Sequence, residues 1–143
     1  MKRALMLSQI IIAAGIYSVW LVRYDRPTPF RGRGAKSLRK EFAAYGLPPW
    51  VMYVVGTLKL GSATLLLLGL RYPRLTRPAA VSMAALMAGA VSMHLKVKDP
   101  LLRSLPALTM LALSTFAASS AAPLRAPLAA AGPRMSGALG EQR

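Results

Sequence analysis

The feature that most constrains this chain is the alternation of long apolar stretches with short basic segments. The apolar stretches occupy residues 4–22, 47–70, 78–97 and 105–122. Each is close to the roughly 20 residues that an α-helix needs to cross a bilayer, and most Lys and Arg residues lie between them. This pattern is typical of a polytopic membrane protein. It predicts an all-α integral membrane protein built as a bundle of four transmembrane helices.

The composition argues against several other classes of protein. The 143 residues include 19 Lys and Arg but only 4 Asp and Glu, and 55% are hydrophobic. Four acids are too few for the mixed-charge surface of a soluble domain. Basic residues that are segregated between apolar stretches do not form the continuous face that binds nucleic acid. We therefore expect no nucleic-acid partner. Since there is no Cys and only one His, we also expect no metal site built by this chain alone.

The first connection, residues 23–46, is expected to contain an amphipathic helix. Ser37 is placed to cap it, and Leu38, Phe42 and Tyr45 would share one apolar face. Such a helix would lie in the membrane interface on anionic headgroups; a solvated charged loop is the alternative. The basic residues expected to contact lipid are Arg31, Arg33, Arg39 and Lys40.

Residues 1–122 are predicted to form the transmembrane domain, and residues 123–143 a disordered basic tail rich in Pro and Ala. Four spans place both termini on the same side of the membrane. That side would carry eight Lys and Arg residues and the opposite side ten. The positive-inside rule therefore leaves the orientation open.

One cation, Lys59, lies in the middle of an apolar stretch rather than near its end or beside it. It is about ten residues into the second stretch, which is roughly 15 Å at the helical rise and close to the bilayer centre. An ionisable residue at that depth costs roughly 2.5–3.5 kcal/mol on insertion scales and marks a functional site by default. Asp25 and Asp99, at the ends of spans, are the candidate counter-charges. The alternative is a structural Lys59 that snorkels or donates to backbone carbonyls.

Further polar residues cluster where the third stretch ends. His94 is a candidate either for ligand binding or for an interfacial hydrogen bond. Asp99 precedes Pro100, and Ser104 precedes Leu105 and Pro106, so both segments have the pattern of a helix start. Asp99 and Ser104 are therefore candidates for capping or for ligand binding, and the segment between them is expected to be a short turn before the fourth span.

Small residues on the second and third spans predict close packing between helices. Lipid tails offer no hydrophobic driving force for helix association, so side chains that let backbones approach mark the helix interfaces. The residues expected there are Gly56, Gly61, Ala85 and Gly89. Met83 and Met87 form a stripe on the third span, which we interpret as packing rather than as a set of metal ligands.

Four short motifs lie along the chain, and the most specific of them is the last. They are Gly46-Leu-Pro-Pro-Trp50, Gly56-x-x-Lys59-x-Gly61, Met87-x-Gly89-Ala90-x-x-x-His94 and Asp99-Pro100-x-x-x-Ser104-Leu-Pro-Ala107. With these motifs the chain resembles the DoxX-like family of small four-helix membrane proteins over about residues 4–118. It also resembles the animal members of that family that act as assembly chaperones for nicotinic receptors in the endoplasmic reticulum.

The resemblance implies a bundle of four spans, and some relatives are membrane subunits of quinone-linked sulfur oxidation or of oxidative-stress complexes. Lys59, His94 and Asp99 carry over as the polar positions of the pattern, without a catalytic role. We therefore expect an accessory or anchor subunit of a redox complex in the bacterial cytoplasmic membrane. A quinone is its candidate ligand, held between Lys59 and His94.

The alternative function is that of a non-enzymatic assembly factor that holds client helices. The expected partners are membrane lipids and either other membrane proteins or a second copy of the chain. An autonomous enzyme is not expected, because the sequence contains no recognisable pair of nucleophile and base.

Overall fold

The computed structural model describes residues 1–122, and this part of the chain is all-helical. The tail predicted for residues 123–143 lies outside the described residues. The five α-helices are α1 (Lys2–Tyr17), α2 (Leu38–Ala44), α3 (Pro49–Leu68), α4 (Thr76–Lys96) and α5 (Leu101–Ser120). A π-helical turn, Ser18–Val22, continues α1, and short 3₁₀ turns at Gly32–Gly34 and Pro73–Leu75 precede α2 and α4.

Four of these helical segments are long and apolar enough to cross a membrane, which confirms the predicted fold class. They are Lys2–Val22, Pro49–Leu68, Pro73–Lys96 and Leu101–Ser120. Helix α1 packs against α3 and α5, and α4 packs against the same two helices. The four long helices therefore form a closed ring in the order α1, α3, α4, α5, with α1 and α4 on opposite corners.

The half of the bundle that contains the start of α1 and the end of α5 is tightly packed. Its core includes Ile12, Leu66 and Met83, which are all fully buried, and Met87 adjoins them. The two methionines thus pack against neighbouring helices, as the sequence predicts. Within this half the amide of Gln9 donates to the Leu66 carbonyl and to the Thr76 hydroxyl, both at 3.0 Å. These bonds join the middle of α1 to the end of α3 and to the start of α4.

The opposite half of the bundle is covered by the first connection and by α2. The Ser37 hydroxyl accepts a hydrogen bond from the Lys40 amide at 3.3 Å, which is the cap that the sequence predicts. Leu38 and Tyr45 are buried against the bundle, while Phe42 is half-buried. The amphipathic helix therefore forms with the predicted apolar face, and this face packs against the bundle.

Two of the long helices begin earlier than the sequence predicts. Helix α4 begins at Thr76 rather than at Pro78, which costs nothing because the first N–H groups of a helix have no partner within it. Helix α5 begins at Leu101 and continues through Pro106, so the short separate turn expected before the fourth span does not form. Helical geometry across that segment places the Arg103 guanidinium 3.1 Å from Oδ1 of Asp99.

Candidate functional site

The loosely packed half of the bundle encloses a cavity of about 620 Å³. It lies among the end of α1, the start of α3, the end of α4 and the start of α5, with α2 across its mouth. Its polar lining residues are Arg23, Thr28, Arg31, Glu41, Tyr45, Lys59, His94 and Arg103. The remainder of the wall is mostly apolar and includes Trp20, Val55, Met87 and Met110. The cavity therefore combines a large apolar surface with a few polar groups, as ligand sites commonly do.

Lys59 enters this cavity from the middle of α3 and lies against an aromatic ring. Its ammonium nitrogen is 5.8 Å from the centroid of the Trp20 ring, a distance at which the ring quadrupole attracts a cation. Trp20 reaches this position because Gly56, one turn before Lys59, leaves room for it. A Cβ on Gly56 would lie 2.4 Å from Cζ3 of that indole.

A buried ion pair holds the inner face of α2. The Arg31 guanidinium donates to Oε2 of Glu41 at 3.0 Å, and the two side chains are 4% and 11% exposed. The other carboxylate oxygen of Glu41 accepts from the Gly32 amide at 2.6 Å and from the Tyr45 hydroxyl at 3.0 Å. Burial and the adjacent Glu41 carboxylate raise the pKa of Tyr45 far above its ordinary value. Tyr45 therefore stays a hydrogen-bond donor to Glu41.

Asp99 is brought back toward the bundle by the way in which α4 ends. The Lys98 amide donates to the Leu95 carbonyl and the Asp99 amide to the His94 carbonyl, both at 3.0 Å. These are the two bonds of a Schellman motif, which requires a left-handed residue just beyond the helix. Lys98 takes that conformation with φ 56°. The turn places the Asp99 carboxylate next to the His94 ring.

Three donors surround the Asp99 carboxylate, which is 2% exposed. His94 Nδ1 lies 2.9 Å from Oδ2, and the Arg33 amide and the Arg103 guanidinium donate to Oδ1 at 2.9 and 3.1 Å. Burial alone would raise the pKa of Asp99. The hydrogen bonds from these three groups outweigh that effect and hold the pKa below its ordinary value. Since a carboxylate only accepts, Nδ1 of His94 carries the proton.

The first connection and α2 form a covering segment, residues 23–46, which is attached to the bundle at two places. The Arg33 amide bonds to Asp99, between α4 and α5. Near the end of α2, the Lys96 ammonium donates to the Tyr45 carbonyl at 3.3 Å, and the Tyr45 ring meets the His94 ring edge-on. This covering segment is thus held by polar contacts at or just beyond the end of α4 and by an aromatic contact inside the cavity.

The structure differs from several residue-level predictions made from the sequence. Asp99 does not pair with Lys59, because His94 and Arg103 occupy its oxygens. Arg31 does not face lipid headgroups, since it is 3% exposed and bonded to Glu41. The other three basic residues expected at the lipid surface are exposed: Arg33, Arg39 and Lys40. Ser104 is buried but does not line the cavity.

The small residues also divide into two groups. Gly56 is buried at a close contact, although its partner is the Trp20 side chain rather than a helix backbone. Gly61 is exposed, and a Cβ there would meet nothing within 4 Å. Ala85 and Gly89 are exposed toward the cavity rather than packed against a helix. Within residues 1–122, three of the four predicted packing positions therefore make no close helix contact.

Sequence reasoning missed three residues that shape the site, namely Trp20, Glu41 and Tyr45. Trp20 has the sequence signature of an interfacial anchor, because it precedes Arg23 at the end of a span. Glu41 had a detectable signal: it is one of only four acids in the chain, on the same helical face as Leu38 and Tyr45. An acid on the apolar face of an amphipathic helix indicates a buried partner, which here is Arg31.

Four helices able to span a membrane, with a polar-lined cavity under a short covering helix, define a polytopic helical membrane protein with an internal ligand-sized site. Residues 1–122 contain no cluster of three His, Cys, Asp or Glu residues that could hold a metal ion. A family model described as the DoxX-like family matches residues 33–119, and the chain belongs to this family. No curated protein and no solved structure matches the chain significantly. The narrower resemblance to receptor-assembly chaperones has no support from these comparisons.

Proposed function

We propose that this protein is an accessory or anchor subunit of a membrane redox complex, and that its cavity binds a quinone-class molecule. The observation that carries the proposal is that Lys59 of α3 and His94 of α4 line the same cavity, although 35 positions separate them in the sequence. A quinone requires an apolar slot around its ring and hydrogen-bonding groups at its two oxygens.

The dimensions and lining of the cavity support a ligand of this class. Its volume of about 620 Å³ lies within the range of roughly 300–1,000 Å³ typical of small-molecule sites. Met87 and Met110 supply adaptable apolar contacts. Trp20 supplies an aromatic surface on which a flat ring can stack.

The two polar residues would act on the two oxygens of such a ligand in different ways. The Lys59 ammonium only donates, so it suits a carbonyl oxygen. With Nδ1–H directed at Asp99, the neutral His94 ring retains Nε2 as an acceptor, which suits a quinol hydroxyl. When protonated, the same ring donates from Nε2 to a carbonyl.

The accessory role and the membrane location are inferred from the resemblance to DoxX-like relatives, some of which are subunits of quinone-linked complexes. In that role the chain would position the quinone in the membrane, and a partner subunit would exchange electrons with it. The bacterial cytoplasmic membrane is the location that this proposal assigns.

Tryptophan fluorescence tests the binding directly, because quinones quench an indole that they contact. Trp20 lines the cavity, whereas Trp50 is 65% exposed on the outer surface of α3. A Trp50→Phe variant in detergent therefore reports on Trp20 alone. We expect decyl-ubiquinone to quench it saturably, and Lys59→Met or His94→Leu in that background to weaken binding at least tenfold.

The matched control is Trp20→Phe, in which only the outer Trp50 emits. Quinone dissolved in the micelle quenches both indoles in proportion to its concentration, without saturation. If Trp20 shows the same linear quenching as Trp50, the cavity does not bind quinones and the proposal is wrong.

The alternative, an assembly factor that holds client helices, is favoured by one observation. Ala85 and Gly89 line the cavity without packing against another helix of residues 1–122, which leaves room for a close approach of a helix backbone. Under this alternative, Ala85→Leu would abolish co-purification of membrane proteins, while wild-type Trp20 would show no saturable quinone quenching.

A further inference from the structure

We infer that the ligand presents an anionic group to Lys59, so that the site selects ionised amphiphiles over neutral ones of the same shape. This inference rests on the cavity of the proposed function and narrows its ligand class. It follows from the charge balance of the cavity wall, in which Lys59 is a cation without a carboxylate partner.

The two acids near the cavity are already fully engaged. Both oxygens of Glu41 are occupied, one by Arg31 and the other by the Gly32 amide and the Tyr45 hydroxyl. Both oxygens of Asp99 are likewise occupied, by His94 on one side and by Arg33 and Arg103 on the other. Each acid is therefore paired with one arginine, and neither forms an ion pair with Lys59.

Lys59 has no carboxylate bonded to it in the part of the chain that the structure describes. Its ammonium group forms no ion pair there, and its aromatic neighbour is the face of Trp20. Arg23 lies at the end of the first span and donates to the Ser18 hydroxyl, whereas Lys59 lies in the middle of a helix that is long and apolar enough to cross a membrane. A cation in surroundings of low polarity interacts strongly with an anion that reaches it.

The position of Lys59 also sets the orientation of the ligand. The anionic oxygen would lie beside the ammonium group, next to the Trp20 ring, and the apolar body would lie along the wall that includes Val55, Met87 and Met110. Ligands with this chemistry include an acidic hydroxyquinone in its ionised form and a long-chain carboxylate. They share one anionic oxygen group on an apolar body.

Two matched pairs of probes test the inference and distinguish a hydroxyquinone from a long-chain carboxylate as the ligand. The first pair is 2-hydroxy-1,4-naphthoquinone, ionised at neutral pH, and its neutral 2-methoxy counterpart. The second pair is a dibrominated long-chain carboxylate and the alcohol with the same chain, since bromine also quenches an indole on contact. Quenching of Trp20 in the Trp50→Phe background gives a dissociation constant for each probe in a non-ionic detergent.

We expect the anion of at least one pair to bind at least tenfold more tightly than its neutral counterpart. Lys59→Gln, which keeps a hydrogen-bond donor but removes the charge, should bring that ratio close to one. The control is Lys40→Gln, the loss of an exposed lysine on α2, which should leave the ratio unchanged. The wild-type ratios alone can overturn the inference, so it does not depend on how the variants fold.

Each outcome distinguishes this inference from the proposed function. Equal binding of the two naphthoquinones, with no preference in the second pair, overturns the inference and leaves quinone binding standing. A preference that appears only for the carboxylate, with no quinone bound, supports the inference and contradicts the proposed function. No saturable quenching by any probe overturns both. A preference that persists in Lys59→Gln but falls in Lys40→Gln also overturns the inference, because the selectivity would then come from the outer face of α2.

Discussion

The Lys59 ammonium lies 5.8 Å from the centre of the Trp20 ring, so the cation in the middle of the second span is matched by an aromatic face and not by a carboxylate. Asp99, one of the two acids that the sequence offered as its partner, is bonded instead to His94 and Arg103. The polar groups thus divide into two sets. One is Lys59, a cation without an ion-pair partner among the described residues, and the other is the hydrogen-bonded cluster of His94, Asp99 and Arg103 at the end of α4. The two groups should therefore respond independently to mutation.

Independence of these groups is testable with Lys59→Met, Asp99→Asn and the double variant. We expect Lys59→Met to leave the free energy of unfolding unchanged or to raise it, because an apolar side chain of similar length removes a desolvated charge. Asp99→Asn should destabilise, because the three donors around it lose a charged acceptor. The effects should add to within about 0.5 kcal/mol, as measured by denaturant unfolding in mixed micelles. A double variant clearly more stable than that sum would show that the two residues are coupled.

Gly56 and Gly61 form a matched pair on α3 that tests the close contact between this helix and the Trp20 ring. An added Cβ on Gly56 meets that indole at 2.4 Å, whereas one on Gly61 meets nothing within 4 Å. Gly56→Ala should destabilise by about 1–3 kcal/mol, as overpacking does. Gly61→Ala should be neutral or stabilise by up to about 1 kcal/mol, because alanine has the higher helix propensity.

Thermal unfolding in detergent compares these two glycine variants. Trp20 emission in the Trp50→Phe background gives a second readout. A shift of the emission maximum is expected for Gly56→Ala and not for Gly61→Ala. Equal stability of the two variants, with unchanged emission, would contradict the close contact between Gly56 and Trp20.

The buried pair of Arg31 and Glu41 should be more costly to break than to replace. Arg31→Met leaves the Glu41 carboxylate buried without its cation, and we expect a loss of about 3–5 kcal/mol. Replacing both residues by Met and Leu should cost less than Arg31→Met alone, since no unpaired charge then remains. The exposed Arg39 is the control, and Arg39→Met should change stability by less than about 0.5 kcal/mol. A similar small effect at Arg31 would mean that it faces solvent or lipid.

The hydrogen bonds to Asp99 predict how stability depends on pH. Because the folded-state pKa lies below the ordinary value of 3.8, this group stabilises the folded protein fully above that pH. The contribution is lost as the pH falls through the lower folded-state pKa. We therefore expect the stability difference between wild type and Asp99→Asn to be constant near neutral pH and to shrink in acid. Unfolding curves of both proteins across that range provide the measurement, and a constant difference down to the lowest pH would contradict the assignment.

The sequence by itself determined the class of fold. Uninterrupted apolar stretches of about 20 residues match the length of a spanning helix rather than of a spanning strand. A helix also hydrogen-bonds every N–H and C=O within its own segment, as the bilayer core requires. Ser37 likewise determined where α2 begins, because a cap acts within a few residues along the chain. The place of Lys59 in the middle of α3 followed from counting residues along the second apolar stretch. All of these features depend on local geometry alone.

The tertiary structure decided which polar groups meet. Lys59 and Asp99 have opposite charges, yet the turn at Lys98 directs Asp99 to His94, and the first turn of α5 adds Arg103. Arg31 has the sequence context of a lipid-facing residue, and only the docking of α2 pairs it with Glu41. Pairing between distant residues depends on how helices pack, which no local pattern encodes. The shared cavity that joins Lys59 to His94 is therefore a property of the folded bundle alone.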